Sequence, residues 1–268
     1  MPRKPRRHQP SPQKPRSPFI PWRDVLDLLT LLTWGVMLLK YWLTGKLNIL
    51  LHPDYMWLSN SAGIVLLLLG SLKGWQLVNR LRRQSGRYLS VQPQHSTLLP
   101  PNWSSAILLS VAVFGLFYTP KAFASDTALQ RGITDTLNAT RSQPQRFVRN
   151  AAPEERTIID WVRTLNVYPE PDAYTAQRAK VTGFVIHPPG WPDNYLMISR
   201  FVLTCCAADA YPVGLPVKLS SSNSTYAPDT WLEIEGAMIT EILDERRQLV
   251  IEPDSLKQIS EPKNPYEY

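Results

Sequence analysis

The sequence predicts an α-helical membrane half joined to a mainly-β domain on the far side of the membrane. Three observations carry this reading. Three apolar runs fall within the first 124 residues. Charge is lopsided: residues 1–124 hold 15 Lys and Arg against 3 Asp and Glu, and residues 125–268 hold 14 against 19. From residue 179 onward, short β-forming segments alternate with Gly and Pro. Basic loops before and between apolar runs fit retention on the cytoplasmic side. The acidic balance of the second half argues against a nucleic-acid-binding face there.

Residues 1–23 form a basic, proline-rich cytoplasmic tail. Its first 21 residues hold seven prolines and six Lys or Arg, too little apolar surface to offset the entropy of ordering. The transmembrane region is expected over 24–124, with spans near 25–43, 55–72 and 104–123. Val25–Leu43 covers 19 residues, close to the hydrocarbon thickness at helical rise. Asp27 and Lys40 sit near its ends, where they can snorkel to the interface or line a conduction path. The second run carries no charge, and the third is the shortest. Trp22, Trp42, Trp57, Trp75 and Trp103 fall at span ends, the expected aromatic belt. An inside N-terminus and three spans place the chain beyond residue 124 outside, together with the link Thr44–Asp54. Ala122-Phe123-Ala124 ends the third run with a small-x-small pattern of the kind signal peptidases cut. An ordinary span end is the plainer reading.

Residues 125–152 read as a linker, and 153–268 as the outer domain. Pro153-Glu154-Glu155 reads as a helix start. Ile158, Ile159, Val162 and Leu165 then form one apolar stripe, ending near Asn166. Strands are expected at Lys180–Ile186, Tyr195–Cys205, Val217–Ser220, from Trp231, at Leu249–Ile251 and at Leu256–Ile259. Five or six short strands punctuated by Gly and Pro make a partly open OB-like barrel the economical fold.

Chemistry concentrates at Cys205-Cys206-Ala-Ala-Asp209. These are the chain's only cysteines, and they are adjacent. In a regular strand they point to opposite faces. If the strand ends there, a turn brings both thiols and Asp209 around one point. Thiolates select soft or borderline ions such as zinc or copper(I). His187 and His52 are the histidines expected on the same side, and they are the remaining candidate ligands. Two other readings of the pair stay open: small buried side chains at a strand end, and redox work in an oxidising compartment. Asp209 also suits a simple backbone-capping role in its turn. Arg200 can pair with a carboxylate across the sheet or lower a thiol pKa. Trp161 and Trp231 read as core or rim packing. No phosphate-binding glycine loop, nucleophile elbow or metalloprotease helix is present, so no enzymatic activity is expected.

Several segments resemble the YcgQ-like family of bacterial membrane proteins. They are Ile159-Asp-Trp161-Val-Arg, Val181-Thr-Gly-Phe-Val185, the run from Arg200 through Cys205-Cys206 to Gly214, Trp231-Leu-Glu-Ile-Glu-Gly236, and the ending Pro262–Tyr268. Leu51-His52-Pro53 between the first two spans also fits. The resemblance implies a plasma-membrane, multi-pass accessory subunit of a permease complex, with a multi-span YcgR-like permease as partner. It implies no catalytic residues. The alternative is a membrane-tethered extracytoplasmic binding protein for a soft metal or metalloid.

Overall fold

The protein was analysed as a computed structural model describing residues 22–82, 103–118, 120–132 and 152–268. Residues 1–21 of the basic tail, the whole of 83–102 and most of the linker expected over 125–152 lie outside these residues. Two compact units emerge. One comprises Met1–Lys40 with Asn60–Tyr118, the other Tyr41–Ser59 with Thr119–Tyr268.

The first unit is helical. Helix α1 spans Trp22–Leu43, α2 spans Pro53–Arg82 and α3 spans Trp103–Phe117. At 1.5 Å per residue the first two are about 33 and 45 Å long, enough to cross the hydrocarbon of a bilayer. Both are apolar enough as well. The second is longer than its expected run because Lys73 to Arg82 continue the helix. Helix α3 is apolar but only 15 residues long, about 22 Å, and it stops at Phe117 where the sequence suggested 123. Helices α1 and α2 approach closely through small residues. A Cβ at Gly70 would stand 2.6 Å from Leu32 Cδ2.

The polar groups of these helices are turned toward one another. Lys73 Nζ of α2 lies 2.8 Å from Asp27 Oδ2, and Ser105 of α3 donates to Asp27 Oδ1 at 2.5 Å. Trp34 Nε1 donates to the Leu108 carbonyl at 3.0 Å. Lys40 donates to the Leu116 carbonyl. Asp27 and Lys40 therefore make interhelix contacts where end-of-span snorkelling was expected. In an apolar surround, a charge held by a partner costs less than one held alone.

The second unit is built on a closed ring of strands. These are β1 Arg178–Ile186, β2 Tyr195–Val202, β3 Tyr211–Lys218, β4 Trp231–Leu243 and β5 Arg246–Ile259, with a short β6 at Tyr266–Glu267. Strand β1 pairs antiparallel with both β2 and β4. Strand β4 pairs antiparallel with β5 and β2 with β3. Parallel pairing of β3 with β5, at Val217 and Ile251, closes the ring. Strand β6 lies parallel on β2, outside the ring. Leu232, Ile234, Gly236 and Met238 alternate inward along β4, the period of a strand with one buried face. A bulge at Glu235/Gly236 shifts the register against β5 and sharpens its curl.

Before the ring, α5 spans Ile158–Val167. Its N-cap is Thr157, which exchanges hydrogen bonds with Asp160 as a capping box. Pro153–Glu155 forms a separate 3₁₀ turn, so the helix begins five residues later than its proline suggested. Ile158, Trp161 and Val162 of α5 enter the core with Leu196, Ile198 and Leu215 of the ring. Trp161 is fully buried, as packing predicts.

Three strand expectations change. Strand β2 stops at Val202, leaving Cys205 outside it. Strand β3 begins at Tyr211 and contains Pro212, Gly214 and Pro216. Both prolines fall on one phase of the strand, so Val213, Leu215 and Val217 remain to carry the ladder. The two segments 249–251 and 256–259 are parts of one strand, β5. Helix α4, Ser125–Arg131, occupies the start of the expected linker. Phe123 packs 5.3 Å from Phe201, and the buried Ser125 donates its N–H to Asp229 Oδ1 at 2.6 Å. The bond after Ala124 is thus built into the β unit.

Candidate metal site

Beyond β2 the chain runs through buried Leu203 to Thr204 and the cysteine pair, makes one 3₁₀ turn at Ala207–Asp209, and re-enters the sheet at β3. Asp209 organises this loop. Its Oδ2 accepts the Cys205 N–H at 2.9 Å and the Thr204 hydroxyl, and its Oδ1 accepts the Cys206 N–H at 3.2 Å. Cys206 caps the turn in extended conformation. The loop thereby breaks the up-and-down alternation of a strand. Cys205 Sγ and Cys206 Sγ lie 3.6 Å apart, both reduced. The two sulfurs and an Asp209 oxygen all lie within 4.8 Å of one another. Cys205 is exposed and Cys206 half-buried.

The electrostatics follow from this contact. The Asp209 carboxylate beside it, and then Cys206, push the Cys205 thiol up to about 11. Partial burial of Asp209 opposes its charge, but hydrogen bonds from Thr204, the Cys205 thiol and the backbone of both cysteines outweigh it and hold the carboxyl below its usual range. The resting cluster is an anionic carboxylate between two thiols, and a cation binding here displaces the thiol protons. Two sulfurs and one oxygen make three donors. A tetrahedral ion keeps one further position.

A second segment braces the loop. After the 3₁₀ turn Lys46–Ile49, Leu51 bridges antiparallel to Cys206. The His52 N–H donates to the Cys205 carbonyl at 3.1 Å, and the Ala207 N–H to the Leu50 carbonyl at 2.9 Å. His52 is buried, its ring 4.7 Å edge-on to Tyr268. The pairing joins positions some 150 residues apart, and no local signal in the sequence announces it.

The other candidate residues lie elsewhere. His187 follows β1; its Nε2 is buried without a hydrogen-bond partner among the described residues, and it is not among the clustered ligand atoms. Arg200 donates to the carbonyls of Asn264, Pro265 and Tyr266, and lies 3.7 Å from Glu267. It thus pairs with a carboxylate and not with the thiols. Glu267, unremarked in the sequence, also accepts the Ile159 N–H at 2.9 Å at the start of α5. Burial lowers the Arg200 pKa and raises that of Glu267, each against the pull of its partner. Trp231 is half-buried, its ring 5.8 Å from Phe184 and 5.6 Å from the Arg200 guanidinium.

These features define a class: apolar helices long enough to cross a membrane, followed by a closed-ring β domain bearing a dithiol–carboxylate loop. Residues 154–268 match the model of a family described as the DUF1980 C-terminal domain, one of uncharacterised bacterial proteins. The matched segment holds α5, all six strands and the cysteine loop. No curated protein matches the chain.

Proposed function

We propose that the protein is a non-catalytic, membrane-anchored binding protein for a soft or borderline metal ion, held by Cys205, Cys206 and Asp209. The convergence of both sulfurs and a carboxylate oxygen within 4.8 Å carries this reading. Two thiolates favour zinc or copper(I) over hard cations. The carboxylate adds negative charge on an exposed loop, where an ion can arrive from solvent.

In this proposal the helices form three membrane spans, with α3 as the third, and the N-terminus is cytoplasmic. The β domain is an extracytoplasmic OB-type barrel. Support for the barrel is the strand order β1-β2-β3-β5-β4 with a parallel β3–β5 closure. Support for the topology is the basic first half. The protein further acts as accessory subunit of a permease complex, the role that the YcgQ-like resemblance implies, with a YcgR-like permease as partner. Asp27, Lys73 and Ser105 are satisfied by one another, which suits an accessory bundle better than an autonomous carrier.

The test is elemental analysis with free-thiol titration on the full chain, purified in detergent without chelator. About one ion per chain, lost in C205S/C206S, is expected. A wild-type protein that takes up no zinc or copper(I) overturns the metal reading. Crosslinking in native membranes tests the accessory role, which fails if the chain is recovered free of any multi-span partner.

A further inference from the structure

We infer that His52 is the nitrogen ligand that completes the Cys205/Cys206/Asp209 site, so that the ion is shared between the β domain and the link preceding α2. The inference rests on the metal reading above and adds to it a fourth donor on a distant segment.

Two independent observations point to His52. The first is register. Leu51 bridges Cys206, and the His52 N–H meets the Cys205 carbonyl at 3.1 Å. This single bridge sets the His52 backbone beside that of Cys205, with the imidazole itself outside the cluster of ligand atoms. The cysteine-bearing loop and this histidine are held together by backbone bonds that do not depend on a bound ion.

The second is the setting of the imidazole. Asp54 Oδ2 lies 3.7 Å from His52 Nδ1, and the Asp54 N–H donates to that nitrogen at 3.2 Å. A carboxylate at the far nitrogen is the usual outer partner of a metal-bound histidine. In the resting state the N–H from Asp54 assigns the ring proton to Nε2. On metal binding the balance is simple. Two thiol protons leave to solvent, and the imidazole stays neutral. Its single proton passes to Nδ1, where the Asp54 carboxylate accepts it, and Nε2 offers its lone pair to the ion. The displaced Asp54 N–H belongs to the first turn of α2, whose amides lack helical partners and can turn to water. His52 is followed at once by Pro53, the first residue of α2, so an ion at this site pulls on the start of that helix.

Cobalt(II) and zinc titration of the full chain in micelles tests the assignment, comparing wild type, H52A, H52Q and C205S/C206S. Wild type is expected to show intense tetrahedral d–d bands and sulfur-to-cobalt charge transfer. In H52A and H52Q the charge-transfer bands should persist while the d–d bands shift. Zinc affinity should fall at least about tenfold. The glutamine variant keeps a polar side chain of similar reach, so agreement between the two separates ligand loss from misfolding. If both His52 variants bind zinc as tightly as wild type with an unchanged cobalt spectrum, the assignment is overturned while the dithiol site stands. If wild type itself shows no charge transfer, the metal reading falls and takes His52 with it.

Discussion

Replacing Asp209 by Asn should speed the chemistry of Cys205, although it removes a group that orders the loop. The carboxylate is the first cause of the high Cys205 pKa, about 11 against an ordinary 9.0, with Cys206 second. Asparagine carries no charge and keeps one oxygen, so it can hold the amide of Cys205 or of Cys206, which meet different oxygens of Asp209. If half to all of the shift goes, the pKa falls by about one to two pH units, and the thiolate fraction at pH 8 rises about 10- to 100-fold. A less basic thiolate is also a weaker nucleophile, with a slope near 0.5 per pKa unit. The net gain in alkylation rate is then about 3- to 10-fold. Iodoacetamide kinetics on the full chain, with tandem mass spectrometry separating Cys205 from Cys206, measures it. Circular dichroism controls for the fold. An unchanged or slower rate in a folded D209N protein would show that the carboxylate does not govern this thiol, and the electrostatic account of the loop would be refuted.

Two further predictions concern the scaffold. Gly236 of β4 faces the β5 bulge, where a Cβ would stand 2.2 Å from the Glu252 carbonyl oxygen and 2.7 Å from Pro253 Cα. Backbone cannot swing aside as a side chain can, so G236A should cost about 3 kcal/mol, the upper end for overpacking. Amide exchange across β4 and β5 reads this directly, and unaltered protection would contradict the bulge register. Burial raises the folded pKa of Glu267 above 4.5. The stability it contributes is complete below about pH 4.5 and is lost as pH rises through the folded value. Wild type should therefore lose stability relative to E267Q as pH rises above about 4.5. A difference that grows with pH would mean that pairing with Arg200 outweighs burial.

Much of the architecture was legible because periodicity reports burial. The alternation of β4 is the direct imprint of burial on one face, and the uncharged stretch of α2 is what makes that helix apolar enough to cross a membrane. What the residues hid was local chemistry overruled by context. The sequence places a strand only from Val217, yet β3 already begins at Tyr211 and runs through Pro212 and Pro216, since a strand tolerates proline where its missing N–H is not needed by the neighbour. The segments 249–251 and 256–259 read as two strands, yet the chain passes through Pro253 as one, with the unpaired Asp254 beside it forming the bulge against Glu235/Gly236. The start of α5 was misplaced because Thr157 caps with Asp160, whereas the familiar capping box carries Glu or Gln at that position.

The site divides along the same line. Adjacent cysteines and a carboxylate three residues on are visible in any reading, but their convergence depends on where β2 stops. Had the strand run on to Cys205, the sulfurs would point to opposite faces. It ends at Val202 because the chain then answers to Asp209, whose carboxylate gathers the amides of both cysteines. Nothing near the cysteines reveals the bracing segment Leu50–His52, because backbone pairing leaves no composition signal. The consequence is physical. A loop whose geometry is held by one carboxylate and by a strap that runs on into Pro53, the first residue of α2, is open to distortion from two directions. If His52 joins the site as proposed, occupancy of the thiols and the start of α2 are coupled, and by linkage each responds to the other to the same degree.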